Sequence, residues 1–126
     1  MGVTYDTGAL VAADRGERRQ WARHRALLNR REVPVVPAPV LAQAWRGGTR
    51  QSLLSRLLTG CDTEALDDTR ARATGALAAR AATTDIVDAC VVEGAVRRHD
   101  VVVSSDPVDL RTIADSLNRR LEVERP

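Results

Sequence analysis

Residues 101–110 read VVVSSDPVDL. Val101, Val102 and Val103 are β-branched and apolar without polar alternation, which is the pattern of a short strand buried on both faces. Pro107 suits the first turn of a following helix, so Asp106 stands where the strand ends. A doubly buried strand that leads at once into a helix belongs to a parallel sheet covered by helices. In open sheets of that kind ligands bind outside the carboxyl ends of the strands.

The same alternation runs outward through the chain. Residues 3–5 form a β-like run that ends at Asp6, and Thr7-Gly8 turn into a short helical piece at 9–12. Residues 17–31 are helical, with Trp21, Leu27 and Leu28 apolar among Arg18, Arg19, Arg23, Arg25, Arg30 and Arg31, so one face is strongly basic. The run VPVVP at 33–37 reads as a strand because its prolines exclude a helix, and Pro39 opens a helix reaching Trp45 before Gly47-Gly48 stop it. An amphipathic helix at 51–58, a weak strand at 61–66 and an Ala-rich helix capped by Asp67 or Asp68 and running through Ala81 follow. Thr83-Thr84-Asp85 cap a helix at 86–98 that is apolar on most sides and therefore central. A last helix at 107–118 and an edge strand at 121–123 complete the reading. The expected fold is a three-layer α/β/α sandwich with a central, mostly parallel sheet, forming one domain over residues 1–126.

With 44% apolar and 29% charged residues the chain can bury an ordinary core. It has two Trp, one Tyr and no Phe, so that core is built from Val, Leu and Ala. The net charge is +2, and all 19 basic residues are arginine, which suits bidentate phosphate and carboxylate contacts but is also what a GC-rich coding sequence produces. Cys61 and Cys90 make neither a disulfide framework nor a metal-binding spacing. The expectation is a cytoplasmic protein, with no segment of membrane-spanning length and no basic region followed by an apolar stretch at its start.

Four acids stand apart from ordinary surface charge: Asp6 and Asp106 at strand ends, and Asp85 and Asp88 in the first turn of the central helix. Asp85 and Asp88 are three apart and share a helix face, so Asp88 can meet Asp6 and Asp106 across a cleft. Carboxylates gathered this way repel one another unless a divalent cation neutralises them, and hard oxygen ligands suit Mg²⁺ or Mn²⁺. The chemistry that fits is metal-assisted phosphodiester hydrolysis. A plain alternative exists for three of them: Asp85 and Asp88 have the spacing of a helix cap and its N3 residue, and Asp106 can cap the helix at Pro107. Nothing requires an acid after the first strand, which sets Asp6 apart.

In this order Asp6 in TYDTGALVAA, then VPAPVLAQAWRGG, TDIVDACVV and VVVSSDPVDL resemble the PIN domain, in particular the VapC-type ribonuclease toxins of bacterial toxin–antitoxin systems, over residues 3 to about 118. The resemblance implies that Asp6, Asp88 and Asp106 are metal-binding acids of a Mg²⁺- or Mn²⁺-dependent endoribonuclease. It also implies a homodimer held inactive by a cognate antitoxin protein. Where such domains usually carry a second acid, a Glu, this chain has Gln43, which removes one negative charge; Asp85 either supplies that charge or is only a cap. Asp109 and Glu93 are lesser candidates.

Arg46 and Arg50 flank Gly47-Gly48 just past the Gln43 helix, where they either hold RNA phosphates or an antitoxin carboxylate, or are solvated surface charge. Aromatics are not interleaved with basic residues, so binding of single strands by stacking is poorly supported. His24 and His99 are far apart and neither lies near another ligand-like pair, which favours metal-activated water over a histidine base. The rival from another class is a PIN-like RNA- or protein-binding module in which Gln43 marks lost catalysis. A receiver-type domain would need a basic partner that a chain without lysine lacks, and a phosphatase would act on small phosphate esters.

Overall fold

The computed structural model describes residues 2–126. Among them the chain runs β1 (Val3–Tyr5), α1 (Thr7–Asp14), α2 (Arg18–Asn29), β2 (Val35–Pro37), α3 (Ala38–Ala44), a 3-10 turn (Thr49–Gln51), α4 (Ser52–Leu58), β3 (Asp62–Glu64), α5 (Asp68–Arg80), α6 (Ile86–Arg98), β4 (Val101–Val103), α7 (Pro107–Asp115) and β5 (Val123–Glu124).

The five strands form one sheet in the order β3-β2-β1-β4-β5, and every pairing is parallel. Val3, Thr4 and Tyr5 lie opposite Val101, Val102 and Val103, so the two most apolar strands are central neighbours. Helices α1 to α4 pack among themselves, as do α5, α6 and α7, and the result is the expected three-layer sandwich. Tyr5, Leu10, Val36, Val40, Leu54, Leu57, Val91, Val92, Val102, Val103 and Leu110 are fully buried between the layers. With few aromatics, close packing of these branched aliphatics supplies most of the apolar burial.

The chain winds from β1 through β2 to β3 on one side, then crosses back over α5 and α6 to place β4 on the other side of β1. The strand order therefore reverses between β1 and β4, and it is outside the carboxyl ends of strands at such a switch point that open parallel sheets bind ligands. Helix α6 is the return element, and its N-terminus comes back to the same edge.

Several element ends differ from the sequence expectation for local reasons. Helix α7 stops at Asp115 rather than 118, because Ser116 to Asn118 close tight turns and Asn118 adopts φ 53°. The edge strand β5 sits at 123–124, where Val102 and Ser104 donate their N–H groups to the Glu122 and Glu124 carbonyls. Helix α1 starts two residues before Ala9 because the Asp6 carboxylate caps it.

Candidate metal centre

Asp6 follows the buried strand β1 directly, and its own N–H donates to the Val103 carbonyl (3.0 Å), which ties it to β4. The residue is 6% exposed, and its carboxylate accepts two hydrogen bonds, from the Thr7 N–H at 2.8 Å and from the Ser104 hydroxyl at 2.6 Å. Ser104, fully buried at the end of β4, also accepts the Asp106 N–H at 3.0 Å. One hydroxyl thus holds the Asp6 carboxylate with its proton and the Asp106 backbone with its lone pair. Serine in a buried apolar run was the sequence signal for this clamp, and it goes unread without the register of β1 against β4.

The structure brings Asp88, Asp106 and Asp109 together, with one carboxylate oxygen of each within 4.8 Å of the others. Asp88 lies in the first turn of α6 and is half-buried; Asp106 and Asp109, at the start of α7, are exposed. Asp106 occupies the cap position of α7, and its carboxylate lies against those of Asp88 and Asp109. Asp85 caps α6 by accepting the Asp88 N–H at 3.0 Å, and its charge still acts on Asp88. Glu93 lies farther along α6, paired with Arg70 (2.7 Å) and Arg97 (3.1 Å).

The electrostatics follow from this crowding. Burial first, and then the charges of Asp85, Asp6, Asp106 and Asp109, push the Asp88 carboxyl up from 3.8 to about 7. Asp106 is raised as well, by desolvation and then by its neighbour Asp109. A carboxyl group that resists ionising because it is buried and other carboxylates surround it is a site short of positive charge. The donor set consists of carboxylate oxygens only, so it fits a hard divalent cation such as Mg²⁺ or Mn²⁺.

Gln43, on the last turn of α3, accepts the Thr7 hydroxyl at 2.5 Å, one residue from Asp6. The Arg46 guanidinium folds back onto the Ala42 (3.1 Å) and Trp45 (2.7 Å) carbonyls, while Arg50 stands exposed in the 3-10 turn. Gln51 fixes the loop between them: its Oε1 accepts the Arg46 and Gly47 N–H groups (2.7 and 2.9 Å), and its Nε2 donates to the Ala44 carbonyl (2.8 Å). The sequence offered no sign of that role, since Gln51 reads as an ordinary polar helix residue. His24 is buried against Tyr5, whose hydroxyl lies 3.0 Å from Nδ1, and takes no part in the cleft.

No family model matches the sequence, and no curated protein matches it either. Among solved structures, a chain of VapBC2 from Rickettsia felis, determined bound to a DNA fragment from their promoter, matches with a TM-score of 0.75 at 14% identity, covering 100% of this chain and 99% of that one. That likeness is one of fold, and the fold is PIN-like, as the four sequence motifs in their order imply.

Proposed function

We propose that the chain is a Mg²⁺- or Mn²⁺-dependent endoribonuclease acting as the toxin of a type II toxin–antitoxin pair. The observation that carries the reading is the convergence of Asp88, Asp106 and Asp109 at the switch point of the sheet, beside an Asp6 fixed by two hydrogen bonds. The fold it shares with a chain of VapBC2 supports the same reading, and an antitoxin covering the cleft follows from it.

In this reading Asp6, Asp88 and Asp106 hold the ion; Asp88 and Asp106 lie within 4.8 Å of each other and of Asp109, while Asp6 stands outside that group of three and, like Asp85, acts on Asp88 through its charge. The chemistry a Mg²⁺ or Mn²⁺ ion supplies when bound is activation of a water and neutralisation of charge on the phosphodiester. Ser104 orients the Asp6 carboxylate by donating to it. Arg46 and Arg50, on the loop that Gln51 braces, meet RNA phosphates or an antitoxin carboxylate once Arg46 releases its carbonyl partners. Free cysteines at 61 and 90 agree with a reducing cytoplasm, and a homodimer belongs to the same reading through the family resemblance alone. Among the described residues no helix is long and apolar enough to cross a membrane.

A second reading, a binding module with weakened catalysis, draws on one observation: the Gln43 carbonyl oxygen is already taken by Thr7 and brings no charge. Incubating the purified protein with a mixed RNA pool separates the two. Cleavage that needs Mg²⁺ or Mn²⁺, stops with chelator and is lost in Asp6→Asn supports the nuclease. RNA retained uncut by a folded protein with metal present removes the nuclease reading and leaves the module.

A further inference from the structure

Gly8 lies in the first turn of α1 but is not among the glycines with positive φ, so its backbone does not require glycine. A glycine in a helix is otherwise unfavourable, because it orders the most flexible backbone and adds no side chain to pack. The reason for it is in the neighbouring loop. A Cβ on Gly8 would lie 2.2 Å from the Ser105 hydroxyl oxygen and 2.9 Å from both Ser105 Cβ and the Ser105 backbone nitrogen. The hydroxyl can rotate away; the backbone nitrogen cannot.

This contact sits between the two strand-end acids. Gly8 is two residues past Asp6, and Ser105 is one residue before Asp106. Ser104 draws the same two segments together through its bonds to the Asp6 carboxylate and the Asp106 N–H, so the bare Cα of Gly8 sets how far they can close. We infer that Gly8 is a positioning residue for the carboxylate site: its missing side chain lets the Ser104–Asp106 loop seat against α1 and fixes the separation of Asp6 from Asp106. The cation-binding part of this inference rests on the proposed metal site; the spacing part does not.

Two readouts test it, the Mn²⁺ dissociation constant by calorimetry and the amide exchange rate of Asp106. Gly8→Ala should weaken Mn²⁺ binding at least tenfold and speed Asp106 exchange at least tenfold. Adding Ser105→Gly removes two of the three close contacts and should recover part of both losses. Gly75→Ala in α5, where a Cβ meets nothing within 4 Å, should change neither. If Gly8→Ala alone does not fold, the double variant is compared with the parent by the same criteria. Parent-like exchange at Asp106 in a folded Gly8→Ala protein overturns the inference, as does parent-like Mn²⁺ binding where the parent binds. A parent that binds no Mn²⁺ removes the metal reading alone, and the exchange rate then decides the spacing.

Discussion

Replacing Asp88 by Asn should stabilise the metal-free protein at pH 8 and not at pH 4.5. The Asp88 carboxyl titrates near 7 in the folded chain and at 3.8 when exposed. Below 3.8 it is protonated in both states and contributes nothing. Between 3.8 and about 7 the folded state holds a proton that the unfolded state has released, so stability falls as pH rises through this window. Above about 7 the group is ionised in both states, and the desolvation of its charge together with the repulsion from Asp85, Asp6, Asp106 and Asp109 opposes folding. Carried over whole, the gap corresponds to roughly 4 kcal/mol, and because Asp88 is only half-buried, solvent screening reduces it to about 1–2 kcal/mol. Asn keeps the shape but loses a favourable charge at a helix N-terminus, which returns ~0.5 kcal/mol. The net gain at pH 8 is about 1 kcal/mol, or roughly 3–5 °C in Tm for a chain of this length. Thermal unfolding followed by circular dichroism in chelator, at pH 4.5, 6 and 8, measures it; subtracting variant from parent cancels the histidines. With Mn²⁺ at about 100 times its Kd the order should reverse, since the parent alone gains ~2.7 kcal/mol. A stability difference between variant and parent that is the same at all three pH values would refute the argument that burial and crowding raise the Asp88 carboxyl.

Asp100, buried where α6 meets β4, accepts from the Gly2 N–H (3.1 Å), the Thr4 hydroxyl (2.8 Å) and Arg98 Nε (3.0 Å). Asp100→Ala leaves the Gly2 N–H and the Thr4 hydroxyl without their acceptor and Arg98 paired with Glu64 alone (2.8 Å), and should cost about 1–3 kcal/mol in urea unfolding, with Asp100→Asn losing less. Gln43→Glu keeps an acceptor for Thr7 and adds a charge beside Asp6, so Mn²⁺ affinity should rise by roughly tenfold in calorimetry, as a charge-assisted contact of about 1.4 kcal/mol implies. His24 is held below 6.5 by burial, so the unfolded chain takes up its proton first and stability is lost as pH falls below about 6.5; His24→Gln should flatten that acid limb in the same unfolding series.

The central strands β1, β2 and β4 were legible because unmistakable residues bound them, whereas β3 read only as a weak strand and β5 lies two residues later than expected. Three valines before Ser-Ser-Asp-Pro, and prolines on either side of Val35-Val36, leave no helical alternative, and α6 begins and ends at residues 86 and 98 as its caps imply. Helix ends were less so where a turn, not a periodic pattern, makes the stop, as at Ser116 to Asn118. Of the site, the acids at strand ends could be named from order and spacing, since position along a parallel strand fixes the edge it faces. What spacing could not supply was tertiary: that Asp109 joins Asp88 and Asp106, that Ser104 grips two segments at once, and that Gly8 is small because Ser105 lies against it. Each depends on contacts across more than 90 residues of chain or on which way a helix is turned, and neither is written in local pattern.

The most direct test is calorimetric titration of Mn²⁺ into the purified chain beside Asp6→Asn and Asp106→Asn variants shown to be folded. The carboxylate site predicts saturable binding by the parent and its loss in both variants. A folded parent that takes up no Mn²⁺, or variants that bind it as the parent does, would contradict the metal centre.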